Sequence, residues 1–232
     1  MERVKDKSIR QSFVEQLENR ILSGELKVGE KLPPARELCK LMDVSLTVVN
    51  AGVSELVSKG FLEVKPRHGT YVADYRENGT PEALIAVFRN SGNTLSQEDI
   101  RSFCESRIAL DPLIAELVIK RASDWELSAL EEQLDALKAA ESTEDICSAA
   151  LEFFRHMYRI SRNTVLALIF NSTVKPQMSM YAMFVEKNGK QILLDVVEET
   201  YCLLRARNTR GAKQFLRQAM KMPISGSTSI VD

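Results

Sequence analysis

Eight residues between positions 36 and 69 have side chains, or in one case the backbone freedom, that could serve to bind a polyanion. They are Arg36, Ser45, Thr47, Asn50, Lys65, Arg67, His68 and Gly69. Cationic side chains and a threonine hydroxyl can contact phosphate, whereas an asparagine amide can pair with the N6/N7 edge of adenine. This chemistry requires elements that hold the eight residues on one surface.

A second candidate is a single cation in an apolar stretch farther along the chain. Arg107 stands among Phe103, Ile108 and Leu110, and a cation on a core helix needs a buried partner. Asp111, one helical turn on, can be that partner. Alternatively, Arg107 is positioned to bind a carboxylate or phosphate of a ligand through bidentate hydrogen bonds. The residues alone leave both interpretations open.

Residues 32 to 58 have the pattern of two short helices joined by a tight turn. Pro33-Pro34 suits a helix start, where a missing N–H costs nothing, and Asp43-Val44 interrupts the first helix. Ser45 can cap a second helix, whose apolar positions recur at helical spacing. These positions are Val49, Val53, Leu56 and Val57. Lys59-Gly60 then supplies a C-terminal cation and a glycine able to adopt positive φ.

After residue 60 the apolar period changes from 3.6 to 2, which is typical of β-strands. Strand-type residues occur at Leu62, Val64, Tyr71 and Val72. They flank a turn from Pro66 to Gly69 that carries Arg67 and His68. The combination predicts a winged helix-turn-helix, in which the second helix enters a DNA groove and the wing reaches the backbone or the minor groove beside it.

The stretch from residue 8 to residue 73 resembles the GntR family of bacterial transcription regulators. The resemblance rests on a helix from Ile9 to Leu22, the string from Ile21 to Pro33, and the motifs Arg36-Glu37-Leu38, Gly60 and Gly69-Thr70-Tyr71-Val72. It implies a DNA-binding transcription regulator that contacts a near-palindromic double-stranded operator as a homodimer. The eight polar and basic residues would then contact DNA.

The DNA-reading helix departs from the family pattern at two positions. Family members usually carry arginine directly after the capping Ser45 and again four residues later, where this chain has Leu46 and Asn50. The loss of two cations is expected to weaken binding and its salt dependence, and to change the operator. Gly52 within the same helix costs up to about 1 kcal/mol relative to alanine. An alternative function is therefore an adaptor that acts through protein partners with weakened operator recognition.

Composition indicates a core-forming chain large enough for two domains. Of 232 residues, 44% are hydrophobic and 27% are charged, and the net charge is −1. Residues 1 to 76 carry 13 Lys and Arg against 11 Asp and Glu, so that this part has a charge of +2 and the remainder −3. DNA affinity would therefore depend on local clusters of cations and on two copies acting together.

The cysteines and the apolar segments indicate a cytoplasmic protein. The four cysteines, Cys39, Cys104, Cys147 and Cys202, lie far apart in the sequence without a C-x-x-C pair. The start, MERVKDK, does not have the pattern of a secretory leader, and no apolar run has the length needed to cross a bilayer. We expect reduced thiols and no membrane role.

The rest of the chain is expected to form a linker, a helical domain and a flexible tail. The polar segment 74–81 contains Asn78-Gly79 and Pro81, and it separates a winged helix-turn-helix domain, 1–73, from a domain spanning 82–222. Helical periodicity predicts helices at about 81–90, 96–121, 124–140, 143–161, 164–186, 189–206 and 209–221. The fold class is therefore mainly α, with a small β-wing and a C-terminal antiparallel helical bundle. The Ser- and Gly-rich segment 223–232 is expected to be flexible.

The helical domain resembles that of the FadR branch of the GntR family. The resemblance rests on Arg107 followed by Asp111, on Arg121-Ala122-Ser123, on Phe153-Phe154 with Ser161 and Asn163 downstream, and on Arg207-Asn208 before a last helix with Ala212. It implies a bundle that dimerises and senses a small-molecule effector.

Many members of the FadR branch hold a metal ion in this bundle, but this chain lacks the corresponding ligands. The family's Asp and His, four residues apart on one helix, correspond to Ala150 and Phe154, and residues 164–221 contain no histidine. Glu152 and His156 form an i, i+4 pair, but two residues correspond to a rotation of about 200°, which turns that pair away from the family's site. We therefore expect neither a metal nor another cofactor.

Phe154 in place of histidine suggests a more apolar pocket, as in the fatty-acyl-responsive members of the branch. The expected ligand-binding residues are Arg107, Phe154, Met157 and Tyr181, and the ligand is an acyl or organic-acid anion. The alternative for the apolar members of this set is that they belong to the core. Enzymatic activity is disfavoured, because one histidine and no metal set in this domain provide neither a nucleophile–base pair nor a metal centre.

Overall fold

The computed structural model describes residues 8–90 and 97–231, apart from the side chains of 88–90. The chain divides into two compact units, Met1–Gly92 and Asn93–Asp232. This boundary lies beyond the linker expected at 74–81. That segment is not an open connection, because Tyr75 packs on Phe61 with ring centroids 5.3 Å apart, and because Ala83 and Ala86 are buried in the core of the first unit.

The first unit contains five helices among its described residues and one two-stranded sheet. The elements are α1 (Ile9–Leu22), α2 (Ala35–Leu41), α3 (Leu46–Ser58), β1 (Leu62–Lys65), β2 (Gly69–Val72), α4 (Tyr75–Asn78) and α5 (Pro81–Asn90). Helix α3 begins where Ser45 Oγ accepts a hydrogen bond from the Val48 amide, at 3.3 Å, which confirms the predicted cap. It ends at Ser58 with Lys59 as its C-cap, and Gly60 follows with φ +81°, as predicted.

Close packing of α1 on α3 explains the glycine within α3. A Cβ atom on Gly52 would lie 2.3 Å from Cδ1 and 2.5 Å from Cε1 of Phe13, a ring that is only 1% exposed. Glycine thus allows the two helices to approach. At the far end of α3, the buried carboxylate of Glu18 on α1 accepts a hydrogen bond from Lys59 Nζ at 2.9 Å. The core between these contacts includes Leu17, Val49 and Leu56.

The wing is an antiparallel pair in which Leu62 faces Val72 and Lys65 faces Gly69. The His68 amide donates to the Lys65 carbonyl at 2.9 Å, and Arg67 adopts φ +64°. With Pro66 before it, Arg67 occupies the position of a type II turn that requires positive φ. The turn therefore holds the Arg67 side chain at the tip of the wing.

The second unit consists of helices throughout its described residues. They are α6 (Gln97–Arg121), α7 (Asp124–Ala139), α8 (Thr143–Ile160), α9 (Thr164–Ser172), α10 (Val174–Asn188), α11 (Lys190–Arg205) and α12 (Thr209–Ala219), followed by a 3-10 turn, Met222–Ile224. Helix α8 packs against α6, α7, α9, α10 and α11, and α12 packs against α6 and α11. Helix α8 is thus the central helix, with Ala150, Phe153, Phe154 and Met157 fully buried.

The helix expected over 164–186 is divided into α9 and α10 at Thr173. Thr173 has φ −108° and ψ 17°, outside the helical region. Pro176 has no N–H to bond the carbonyl of residue 172, and its ring would clash with that carbonyl in a continuous helix. The Phe170 carbonyl instead accepts hydrogen bonds from Thr173 Oγ1 at 2.9 Å and from Gln177 Nε2 at 3.1 Å.

The segment expected to be a flexible tail makes specific contacts up to residue 231. Asn188 Nδ2 donates to the Thr228 carbonyl at 3.0 Å, and the Ile230 amide donates to the Pro223 carbonyl at 2.8 Å. Val231 is 5% exposed. The tail thus folds back on the helical unit, and its residues Pro223 and Val231 are buried.

Among the described residues, no single helix has the length and apolar character needed to cross a bilayer. Helices α2 and α3 meet that test only when taken together, and they are bent by 109° with respect to each other.

Candidate functional site

The exposed surface of the helix-turn-helix carries the predicted polar residues. Arg36 is the second residue of α2, and Thr47 and Asn50 lie in the first half of α3, all with exposed side chains. Ser45 is exposed as well, although its Oγ already accepts the capping hydrogen bond and so retains its O–H donor and one lone pair for another contact. The structure thus brings Arg36, Ser45, Thr47 and Asn50 to the accessible part of this motif.

Helix α3, which is described in full, presents an uncharged outer face. Its exposed residues are Leu46, Thr47, Asn50, Ser54, Val57 and Ser58. The only charged residue of the helix is Glu55, which is half-buried and bonded to Arg10 Nε at 3.0 Å and to Lys59 Nζ at 2.9 Å. Any cation that contacts a DNA backbone therefore comes from outside α3.

The wing brings the other four predicted residues together. Lys65, Arg67, His68 and Gly69 are all exposed around the turn. Lys65 Nζ lies 2.8 Å from Glu63 Oε1 and 4.8 Å from the ring centroid of Tyr71, and the hydrogen bond that Lys65 donates to Glu63 raises the pKa of Lys65. Glu63 thus offsets part of the charge of Lys65, whereas Arg67 at the tip stands farther out on the turn.

The sequence interpretation missed Lys31, which the structure places beside the wing. The segment before α2 runs antiparallel to β2, since Lys31 pairs with Tyr71 and the Leu32 amide donates to the Thr70 carbonyl at 2.9 Å. A Cβ atom on Gly69 would lie 2.8 Å from Cε of Lys31. Lys31 is exposed and adds a cation to this surface. The signal in the sequence was the strand-like alternation just before Pro33, which is too short to predict pairing.

In the helical unit, Arg107 lies within a buried polar cluster. Its Nε donates to Asp111 Oδ2 at 3.0 Å and its Nη1 donates to the Tyr181 hydroxyl at 2.8 Å. The Tyr158 hydroxyl donates to Asp111 Oδ1 at 2.6 Å. Arg107 is 3% exposed and Asp111 is fully buried. The cluster joins α6, which carries Arg107 and Asp111, to α8 and α10.

The charges in this cluster stabilise one another. Burial alone would lower the pKa of Arg107, but the carboxylate of Asp111 beside it raises that pKa, so the guanidinium stays charged. Burial, together with the negative charge of Asp111, raises the pKa of the Tyr158 hydroxyl, and burial likewise raises the pKa of Tyr181. Both tyrosines therefore remain neutral, with Tyr158 donating to Asp111 and Tyr181 accepting from Arg107. Of the two interpretations of Arg107, pairing with Asp111 is observed.

One nitrogen of Arg107 is left without a hydrogen bond. Nη2 lies 2.7 Å from Asp111 Oδ2 but is not aligned to donate to it, and no other hydrogen-bond acceptor serves this nitrogen among the described residues. The guanidinium carbon lies 4.7 Å from the ring centroid of Phe154 and 5.8 Å from that of Tyr181. Arg107 thus retains donor capacity beside two aromatic rings.

Three of the four expected effector residues are in direct contact. Arg107, Phe154 and Tyr181 meet as described, and Phe154 stacks on Tyr181 with centroids 6.5 Å apart. Met157 is fully buried one turn after Phe154 on α8. Tyr158, which bonds Asp111, was not anticipated, because nothing in the sequence distinguishes it from other aromatic core residues.

The positions that correspond to the family's metal ligands are apolar and interior. Ala150 and Phe154 are fully buried on α8. His156 is half-buried and its Nδ1 lies 3.1 Å from Gln133 Oε1, while burial and the nearby Arg159 lower its pKa. Glu152 is bonded to Arg155 rather than to His156. Within residues 8–90 and 97–231, no group of three or more His, Cys, Asp or Glu residues could hold a metal ion.

A helix-turn-helix with an exposed second helix and a wing, followed by a helical unit, defines the class of winged-helix transcription regulators. The family model for bacterial regulatory proteins of the gntR family matches residues 9–72, and the FCD domain model matches residues 102–221. The chain belongs to the GntR family of bacterial regulatory proteins and carries an FCD domain. It is a DNA-binding transcription regulator, and its relatives are regulators rather than enzymes.

Individual relatives agree with this assignment. The HTH-type transcriptional regulator Mce2R of Mycobacterium tuberculosis is 31% identical over 170 residues, which are 72% of this chain and 69% of that protein. LutR of Bacillus subtilis is 24% identical over 196 residues, covering 81% and 87% of the two chains. The solved structure of Lar, which controls the expression of the Listeria monocytogenes agr system, has the same fold, with a TM-score of 0.56, 15% identity and coverage of 93% and 94%.

Proposed function

We propose that this regulator binds a near-palindromic operator as a homodimer in the cytoplasm. The observation that carries the proposal is the exposed first half of α3 with Thr47 and Asn50, flanked by Arg36 on α2 and by Arg67 at the tip of the wing. Major-groove entry of α3 places the amide and hydroxyl groups at base edges and phosphates, and the cations contact the backbone. Two copies related by a two-fold axis would read two half-sites.

We further propose that the FCD domain senses an anionic effector with an acyl or other apolar part, without a metal. Arg107 supports this assignment, because its Nη2 has an unused donor and its guanidinium lies beside the rings of Phe154 and Tyr181. The anion would bind Nη2, and the apolar part would pack on Phe154 and Met157. Because Tyr181 is 4% exposed, entry requires α10 to shift, and Thr173 provides a break in the helix at which it can do so. Coupling of effector binding to DNA binding then requires that the effector bind two conformations of the protein with different affinities. The difference in binding free energy is typically about 1–3 kcal/mol.

The DNA-binding proposal is tested by a gel shift with the promoter of the protein's own gene, in parallel with light scattering of the free protein. We expect a dimer that binds one promoter fragment more tightly than a random fragment of equal length, with affinity that falls as salt rises. An adaptor that acts through protein partners would bind both fragments equally weakly, and that result would favour the alternative over the proposal.

The effector proposal is tested by thermal shift with acyl thioesters, fatty acids and small carboxylates. A ligand that binds only the folded state raises the melting temperature by mass action. The informative variant is Tyr181→Phe, which removes the hydroxyl that occupies Arg107 Nη1 but keeps the buried charge pair. We expect the concentration needed for half-maximal stabilisation to change in this variant and to remain unchanged in the exposed control Lys187→Ala. Equal behaviour of Tyr181→Phe and the native protein would contradict the site.

A further inference from the structure

The uncharged outer face of α3 has a consequence for the DNA sequence that the protein selects. The commonest specific contact in the major groove is a bidentate bond from Arg or Lys to guanine O6 and N7. Helix α3 offers no cation for it, and its only acid, Glu55, is held by Arg10 and Lys59 and is not free to accept from cytosine N4. The side chains of α3 therefore disfavour strong base-specific contacts to G·C pairs.

The residues that are exposed suit A·T pairs instead. Leu46 is 46% exposed at the first position of α3, and Asn50 is exposed one turn later on the same side. In the major groove, thymine is the base that presents a methyl group, which apolar side chains contact, and adenine presents the N6/N7 pair that an asparagine amide binds bidentately. The N-terminal residues of a recognition helix are those that reach the base edges.

The spacing of the two side chains fits neighbouring steps of one half-site. Four residues along a helix correspond to about 6 Å. Successive base pairs are about 3.4 Å apart. Leu46 and Asn50 thus span about two steps. Thr47 lies between them in the chain, and its hydroxyl is free for a phosphate because the capping bond is made by Ser45.

We infer that α3 reads A·T pairs in each half-site, with Leu46 packed on a thymine methyl and Asn50 hydrogen-bonded to an adenine one or two steps away. This inference rests on the proposed operator binding and specifies its chemistry. Affinity comes from the cations of α2 and of the wing, and base selection comes from an apolar contact and an amide. The ratio of affinities for two DNA sequences should then change less with salt concentration than the affinity for either sequence does.

The test begins with selection from random double-stranded DNA by the full chain, followed by removal of single chemical groups from the selected site. Replacing the contacted thymine by deoxyuridine deletes only the C5-methyl group, and replacing the contacted adenine by 7-deazaadenine deletes only the N7 acceptor. We expect deoxyuridine to weaken native binding about fourfold, the value of one buried methyl group. We expect 7-deazaadenine to weaken it at least about fivefold.

Matched variants assign each loss to one side chain. Leu46→Ala should bind thymine and deoxyuridine sites equally, and Asn50→Ala should bind adenine and 7-deazaadenine sites equally. Leu41→Ala, which truncates a leucine that is 65% exposed on α2, should keep both discriminations. The substituted side chains are exposed, so that these variants should fold as the native protein does.

The outcomes separate this inference from the function on which it rests. If selection enriches no sequence and only weak general binding is measured, operator recognition itself is absent. If a site is enriched but its α3 contacts are G·C pairs, or if the deoxyuridine penalty persists in Leu46→Ala, the protein recognises an operator by other means and the inference is overturned.

Discussion

Two cations of the wing, two residues apart in the same turn, differ in how much charge they can offer to DNA. Lys65 is bonded to Glu63 at 2.8 Å, whereas Arg67 is held at the tip by a turn that requires its positive φ. A contact to phosphate releases counterions and gives a salt dependence of binding, and a cation that already has a carboxylate partner gains less. In the sequence the two residues are equivalent single cations. In the structure Lys65 has a carboxylate partner, whereas Arg67 lies at the tip of the wing.

We predict that Arg67→Ala lowers affinity by a similar factor for all DNA sequences and reduces the slope of log K against log salt concentration by about 0.9. Lys65→Ala should have the smaller effect. Fluorescence anisotropy across a salt series measures both, with Lys187→Ala on α10 as the exposed control. A slope for Arg67→Ala equal to that of the native protein would exclude the phosphate contact.

The polar cluster around Arg107 illustrates how far a sequence can predict a site. The i, i+4 spacing made Asp111 a candidate partner, because such pairs share one face of a helix. Tyr158 and Tyr181, 47 and 74 residues from their partners, could not be assigned, since tertiary packing alone brings them to the charges. Lys31 was missed for the same reason, because its pairing with Tyr71 spans 40 positions and depends on the fold of the loop before α2.

We predict that Arg107→Ala lowers the free energy of unfolding of the helical unit by about 3–5 kcal/mol, because it leaves the carboxylate of Asp111 buried without its cation. Arg101→Ala, on the exposed side of the same helix, should change it by less than about 0.5 kcal/mol. Urea denaturation followed by circular dichroism measures both. Equal stability of the two variants would show that the charge pair is not needed for the fold.

At the scale of elements, most of the helices and the wing were predictable because they have their own start or stop signals. Ser45, Ser123 and Asn208 cap α3, α7 and α12 through their side chains. The division at Thr173 was missed, although Pro176 was visible in the sequence, since a proline is tolerated in a first helical turn and only the structure fixes where that turn begins. The segment expected to be a linker is followed by α5, whose Ala83 and Ala86 are buried in the core of the winged-helix unit and which packs against α1.

Gly52 gives a prediction about the packing of α1 on α3. Alanine is favoured over glycine in helices by up to about 1 kcal/mol, but here its Cβ would overlap the ring of Phe13. We expect Gly52→Ala to lower the free energy of unfolding of the winged-helix unit by about 1–3 kcal/mol. The control Ser54→Ala, exposed on the same helix, should be within about 0.5 kcal/mol of the native protein.

A double-mutant cycle identifies Phe13 as the cause. Adding Phe13→Leu should cost less in the presence of Gly52→Ala than in the native protein, because the smaller side chain relieves the overlap. Strictly additive losses would mean that the glycine serves another purpose, such as flexibility of α3.

At the scale of the whole molecule, the chain combines two units whose sites differ in chemistry. The first unit displays cations and an amide to a polyanion, and the second buries one charge pair among aromatic rings. Only the first kind of site is visible as a surface pattern in the sequence. The second is recognisable from a single unexplained arginine, and its ligand class was suggested by a resemblance to the FadR branch rather than by the residues themselves.

The metal-free state of the helical unit is the prediction that depends on the whole domain. Imidazole and carboxylate ligands are what zinc and related ions require, and Ala150 and Phe154 supply neither at the two positions on α8. His156 is hydrogen-bonded to Gln133, and burial lowers the pKa of its imidazole, so that it is a half-buried side chain with a hydrogen-bond partner.

We expect purified protein to contain zinc, manganese and nickel well below one equivalent per chain by elemental analysis. A chelator should leave the melting temperature unchanged, and added zinc should not raise it, because metal that binds only the folded state would stabilise that state by mass action. One equivalent of metal per chain, lost together with several degrees of melting temperature on chelation, would require a ligand set other than the one that the family's positions indicate.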